Sequence, residues 1–190
     1  YHTLQPKQLL LNDICHDMQT CCEDLLNRGV GFLAGDAETL AFPEDTELIT
    51  SCSTLQWFEN PEHFFHRCTN YLSRNGYFAF TTFGQKNMEE IRSTTGHGLT
   101  YRSLRDLKAS LAPMYDIIYA EEEVLPRTFT NPLQVLYHLK ETGVTGTGKH
   151  HWTRRELNRF CEDYPRQSGN NRSVTLTYHP IYIIAKKKKQ

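Results

Sequence analysis

Val30-Gly31-Phe32-Leu33-Ala34-Gly35-Asp36 is an apolar run of strand length that closes on a glycine and an aspartate. Upstream, Gln8-Leu9-Leu10-Leu11-Asn12-Asp13-Ile14 has the same design. Between the two runs Met18, Cys21, Cys22, Leu25 and Leu26 fall at helical spacing, and Asn27-Arg28-Gly29 is a helix stop signal, so a helix is expected over 17–27. Downstream, Glu47–Ser53 makes a third strand and passes into Thr54-Leu55-Gln56-Trp57-Phe58. A helix over 61–73 follows, with Pro61 suited to its first turn, and Asn75-Gly76 turns the chain into a fourth strand, Tyr77–Phe83. Strands alternating with helices at this rhythm predict an α/β fold, its sheet largely parallel, its inner strands buried and helices on both faces.

Beyond Gly84 the pattern predicts helices over 88–93 and 101–111, then one charged strand over 115–127. Two further helices are expected, over 132–141 and 153–164, the second opening with a Thr-x-x-Glu capping box at Thr153 and Glu156. Gly143–Lys149 is a glycine-rich connector, but His150 follows Lys149 where a phosphate loop needs Ser or Thr, and a helix rather than a strand precedes it. The chain closes with one long alternating strand over 174–185 and the tail Lys186–Lys189, which composition alone makes a solvated run.

At 190 residues the chain has the size of a single domain, expected to run over 1–190. A hydrophobic fraction of 38% exceeds that of a disordered chain, while charged residues in every segment exclude a membrane-spanning bundle. Lys plus Arg number 21 against 22 Asp plus Glu, so no global field collects nucleic acid or anionic lipid; neither is an expected partner. The six cysteines form no CxxC pair, which fits reduced thiols in a cytoplasmic protein. Neighbouring Cys and His residues such as Cys15-His16, Cys21-Cys22 and His150-His151 lack metal-ligand spacing, so no metal is expected.

In an open α/β sheet, ligands bind beyond the carboxyl ends of the strands. Asp13 and Asp36 each end a strand one unit apart and would stand side by side there, one suited to ribose hydroxyls and the other to an exocyclic amine. Position alone leaves a second reading open, in which each aspartate caps the turn that follows it.

The runs Phe32–Leu40, Ser51–Trp57 and Leu72–Phe83 resemble class I S-adenosylmethionine-dependent methyltransferases. The Leu55-Gln56-Trp57 triplet, Leu139–Val144, Thr153–Leu157 and Leu176–His179 narrow the resemblance to the malonyl-acyl-carrier-protein O-methyltransferases of biotin synthesis. That resemblance implies a Rossmann-like sheet with a C-terminal antiparallel strand and S-adenosylmethionine as cofactor. Asp13, with Ile14 beside it, would hold the ribose; Asp36 and the Ala37 amide would read the adenine, and Ser53 would line the methionine end. Gln56 and Trp57 would face the substrate, with helical segments at 84–111 and 131–165 as a cover over its pocket. The acceptor would be the free carboxylate of a malonyl thioester on acyl carrier protein or coenzyme A. Lys140, Lys149, Arg154 and Arg155 could form a basic patch toward the acidic carrier, or an ordinary solvated face.

The family pattern begins with a strand and a Gly-rich loop, whereas this sequence opens at Tyr1 after that point. The strand belongs between those ending at Asp13 and Ser53, so the sheet is expected without its first strand and the chain N-terminally incomplete. Orphaned backbone groups there would cost roughly 1–3 kcal/mol for each one left buried. Rival readings are a methyltransferase for another small carboxylate and a non-catalytic carrier-binding relic. A monomer is expected.

Overall fold

The computed structural model describes residues 3–143, 152–168 and 173–189. Among them eight strands occur: β1 (Leu10–Asp13), β2 (Gly31–Ala34), β3 (Thr46–Cys52), β4 (Leu72–Phe83), β5 (Tyr115–Glu122), β6 (Leu125–Phe129), β7 (Val174–Tyr178) and β8 (Pro180–Lys187). The helices are α1 (Glu23–Leu26), α2 (Pro61–Tyr71), α3 (Glu89–Thr95), α4 (Leu104–Leu111), α5 (Pro132–Glu141) and α6 (Arg154–Ser168). β1 and β2 form one parallel pair. A mixed four-stranded sheet has the order β3-β4-β8-β5, with β3 and β4 parallel and β8 antiparallel to both its neighbours; β6 and β7 form an antiparallel pair.

The break in strand pairing falls between β1 and β3, where the sequence reading places the absent first strand. Each of those strands has a ladder on one side only among the described residues. Leu10 of β1 is 37% exposed and Leu48 of β3 41%.

Several other boundaries differ from the sequence reading. The helix expected over 17–27 is a tight 3-10 stretch, His16–Cys22, followed by the single turn α1, and neither buries a residue. Among the described residues neither joins a buried core cluster, and a short helix gains little without one. The charged strand expected over 115–127 divides into β5 and β6, which belong to different sheets. The closing strand divides likewise at His179-Pro180 into β7 and β8. Alternation of apolar residues continues through both breaks, so it carries no sign that the chain changes sheets. The connector at 143–149 lies, apart from Gly143, outside the described residues.

The main core joins α2 and α4 to one face of the four-stranded sheet. Phe64, Phe65 and Cys68 of α2 and Leu107 and Leu111 of α4 meet Phe78, Phe80, Tyr115, Ile181 and Ile183. These two helices share one face of the sheet, and Tyr77, Tyr119 and Ile184 stand 38%, 42% and 39% exposed. Asn60 starts α2 by accepting the His63 N–H at 3.0 Å, and Pro61 takes the first turn, where its missing N–H costs nothing. The Tyr115 hydroxyl reaches the Phe65 carbonyl at 2.8 Å, so its burial leaves no orphan donor. Burial pushes the Cys68 thiol up to about 12, keeping it protonated and unreactive at neutral pH.

A second cluster gathers Met88, Val135, Leu139, Phe160, Tyr164, Val174 and Leu176 from α3, α5, α6 and β7 and their flanks. The capping box forms as expected: Thr153 Oγ1 accepts the Glu156 N–H at 3.2 Å, and the Glu156 carboxylate accepts the Thr153 N–H at 2.7 Å. Buried Glu90 is satisfied by the Thr177 N–H at 2.9 Å and its hydroxyl at 2.6 Å, which pins α3 to β7.

The lysine run is not a free tail. Lys186 and Lys187 belong to β8; Lys187 Nζ donates to the Leu72 carbonyl at 2.7 Å and Lys188 Nζ to that of Ala112 at 2.6 Å. Leu72 and Ala112 close α2 and α4, so these ammonium groups neutralise the negative ends of two helices.

Candidate active site

The parallel strands end at polar or glycine positions: β1 at Asp13, β2 just before Gly35-Asp36, β3 just before Ser53 and β4 just before Gly84. Asp13 pairs in register with Ala34, and the Gly35 N–H reaches the Asp13 carbonyl at 2.9 Å, so Asp13 and Asp36 lie at neighbouring strand tips. Asn12 fixes that pairing through its Nδ2, which donates to the carbonyls of Leu33 at 2.8 Å and Gly35 at 3.0 Å. Gly35 has φ of 138°, a conformation a side chain strains to adopt, and a Cβ there would meet Leu40 at 3.0 Å.

Both readings of the aspartates are compatible with this geometry. Asp13 Oδ1 accepts the Cys15 N–H at 2.8 Å and Asp36 Oδ1 accepts the Glu38 N–H at 2.9 Å, so each carboxylate caps its own turn. That bond uses one oxygen and orients the other, and among the described residues no protein donor reaches either Oδ2. Ile14 beside them is 75% exposed, and Ala37 packs against the main core.

Ser53 follows β3 in the left-handed region, at φ of 52°. It is held there by its N–H, which meets the Thr81 carbonyl at 2.9 Å and the Thr81 hydroxyl at 3.1 Å. Gln56 and Trp57 share a single 3-10 turn, Leu55–Trp57, anchored by buried Leu55. Gln56 Nε2 donates to the Ser53 carbonyl and Oε1 accepts from the Thr82 hydroxyl at 3.1 Å, so the amide is locked between the ends of β3 and β4. One amide hydrogen is left over, because the group carries two. Trp57 is 43% exposed at the same edge.

Of the basic residues, Lys140 is exposed in the last turn of α5, and Arg154 and Arg155 are exposed in the first turn of α6; Lys149 lies outside the described residues. Among the described residues no three His, Cys, Asp or Glu side chains gather as a metal site would require. No helix among them is long and apolar enough to cross a membrane.

Three features at this edge escape sequence reading. His179 is buried behind β4, its Nδ1 accepting the Lys86 N–H at 3.1 Å, which leaves Nε2 to donate to Glu122 at 3.1 Å. A Cβ on Gly84 would stand 2.6 Å from that ring, so the absence of a side chain there lets the histidine in. Tyr178 hydrogen-bonds His138 at 2.7 Å, and burial pushes its phenol up. Glu38 and Arg67 tie the loop after Asp36 to α2. All of these partners are far apart in sequence, and no local pattern announces them.

The sequence pattern of the methyltransferase domain family matches residues 2–80. Over 98% of its length the chain is 59% identical to a malonyl-acyl-carrier-protein O-methyltransferase of Bacteroides fragilis, of which it spans 38%. It is 57% identical to the protein of that name from Bacteroides thetaiotaomicron, again over 98% of its own length and here over 76% of the relative. The chain belongs to the malonyl-acyl-carrier-protein O-methyltransferase family. The fold of this methyltransferase chain agrees with that membership. A solved S-adenosylmethionine-dependent methyltransferase of Mesorhizobium loti superposes with a TM-score of 0.59 at 16% identity, covering 97% of this chain and 82% of that one. For a member of this family, the strand tips carrying Asp13, Asp36 and Ser53 and the turn carrying Gln56 and Trp57 are the natural place to look for the chemistry.

Proposed function

We propose that this protein transfers a methyl group from S-adenosylmethionine to the free carboxylate of malonyl-acyl carrier protein, as a step of biotin synthesis. The observation that carries the proposal is the identity of more than half of all residues, over nearly the whole chain, to relatives of that name. The site residues suit the cofactor. Asp13 and Asp36 sit at adjacent tips, each with an anionic oxygen left over from its own turn, as ribose hydroxyls and an adenine amine require. When bound, the cofactor supplies an electrophilic methyl group on a sulfonium.

The acceptor needs no base from the protein, because a carboxylic acid with a pKa of about 4 is already ionised at neutral pH. What the chain must supply is alignment, holding a carboxylate oxygen in line with the methyl group at about 3–3.5 Å. Gln56, immobilised by Ser53 and Thr82, offers its remaining amide hydrogen to that carboxylate, and Trp57 supplies an apolar wall that limits water. Helices within 84–111 and 131–165 form the cover, with α3, α5 and α6 packed as one cluster and α4 anchored in the main core.

Mass spectrometry of malonyl carrier protein after incubation with S-adenosylmethionine and the full-length protein tests the reading. A gain of one methyl group on the malonyl moiety supports it; an unmodified carrier refutes it.

Lys140, Arg154 and Arg155 lie at the two ends of the segment joining α5 to α6, where a basic surface can steer an acidic carrier. Changing Arg154 and Arg155 together to Glu lowers kcat/KM on the carrier-bound substrate about 10-fold at low salt. The deficit shrinks as salt rises, since steering is screened beyond about 10 Å at 0.1 M. An unchanged low-salt rate removes both residues from the docking surface.

A further inference from the structure

We propose that Arg67, on helix α2 of the main core, is the positioning residue for the adenine end of the cofactor site. The inference rests on the cofactor reading above and assigns a role to a residue that touches no ligand itself. Among the described residues the loop after Asp36 and helix α2 share no strand ladder, so side chains set the spacing between them.

Arg67, Tyr71 and Glu38 join that loop to α2. The Arg67 guanidinium faces four successive carbonyls of the loop after Asp36. Nη1 donates to Ala37 at 3.3 Å and to Glu38, and Nη2 donates to Thr39 at 3.3 Å and to Leu40. Nη2 also meets the Tyr71 hydroxyl at 2.8 Å, which itself reaches the Leu40 carbonyl at 3.3 Å. In the opposite direction, the Glu38 carboxylate accepts the N–H groups of Glu59 and Asn60, both at 2.8 Å, just where α2 begins. Asp36 is coupled directly to this clamp, because the N–H that orients its carboxylate is that of Glu38.

Arginine fits this place through its planar fork of several N–H donors, which can satisfy a curved row of carbonyls that no single ammonium spans. Without it those carbonyls turn to water, since the loop is only half-buried; the fold survives but the tip carrying Asp36 and Ala37 loses its fixed place. Small displacements of a hydrogen-bonding group weaken recognition sharply.

The test compares S-adenosylhomocysteine with S-inosylhomocysteine, in which oxygen replaces the adenine amine, by calorimetry on the full-length protein. Wild type prefers the adenine ligand by at least about 10-fold, because the inosine oxygen would face the Asp36 carboxylate. Arg67→Met retains the apolar stem, raises the dissociation constant for S-adenosylhomocysteine about 10-fold and reduces that preference to about 2-fold. Arg67→Lys restores part of both, and KM for the malonyl carrier is unchanged. A preference kept intact in Arg67→Met overturns the proposal, whether affinity is unchanged or lowered for both ligands alike. If Arg67→Met does not fold, Tyr71→Phe, which removes one support of the guanidinium, shows the same loss of preference to a smaller degree; unchanged binding there overturns the proposal. Failure of wild type to bind either ligand overturns the cofactor reading itself, a result distinct from wild-type discrimination that persists in the variants.

Discussion

An Asp13→Asn protein binds S-adenosylmethionine about 10- to 100-fold more weakly than wild type, because hydrogen bonds to a charged acceptor are worth about 1.5–3 kcal/mol. Its thermal stability changes little. The carbonyl of asparagine accepts the Cys15 N–H as Asp13 Oδ1 does at 2.8 Å, so the turn beyond β1 survives. The strand tip is also held independently, by Asn12 and by the Gly35 N–H on the Asp13 carbonyl. The substitution therefore removes charge with little change of shape, and calorimetry on the full-length protein isolates the contribution of the anion. An unchanged dissociation constant would leave Asp13 with its turn-capping role alone.

Phe65→Ala destabilises the protein by about 3–5 kcal/mol, the range for truncating a fully buried aromatic ring. The ring is 0% exposed and packs against Phe78 and Phe80 at centroid distances of 5.9 and 5.7 Å. It sits within the face that α2 shares with the sheet, and neighbouring groups there are already engaged: the Phe65 carbonyl accepts the Tyr115 hydroxyl, and Cys68 is buried in the same core. Such a site collapses poorly around a cavity. A chain of this size loses roughly 2–4 °C of melting midpoint per kcal/mol, so a fall of roughly 6–20 °C is expected by calorimetry or circular dichroism. Because Arg67 rides on the same helix, cofactor affinity falls with it near the new midpoint. A shift under about 2 °C would mean that α2 is not part of the cooperative core.

The parallel strands were legible because an apolar run ending on a polar residue is a local pattern. β3 and α2 lie within a residue or two of where periodicity puts them, and α5 coincides with the expected span. Caps were legible for the same reason, at Thr153 with Glu156 and at Pro61. The failures at the chain's later strands have one cause: alternation states which side of a strand is apolar, and it does not state which sheet receives that side. Hence 115–127 and 174–185 read as single strands although Pro180 and the residues after Glu122 carry the chain from one sheet to another.

The site divides in the same way. Asp13, Asp36, Ser53, Gln56 and Trp57 could be picked out because each stands at the end of an apolar run or beside one, in a combination that resembles a known family. Arg67, Glu38, Thr82 and His179 could not, since each acts on partners 20 to 90 or so residues away. The lysines at the C-terminus illustrate the risk of judging by composition. Four in a row look like a solvated tail, yet two of them close the carbonyl ends of α2 and α4.

By itself, then, the order of residues determined the alternation of strands and helices, which is written in spacing over a handful of positions; the family entered through a resemblance, and the acidic tips are where we propose that a nucleoside is met. Only the tertiary structure decided that the later strands change sheets, and that side chains bind the loop after Asp36 to α2. Hydrogen bonds between distant segments depend on how far apart the packed elements come to rest. That distance is a property of the assembled core, and no local stretch of sequence carries it.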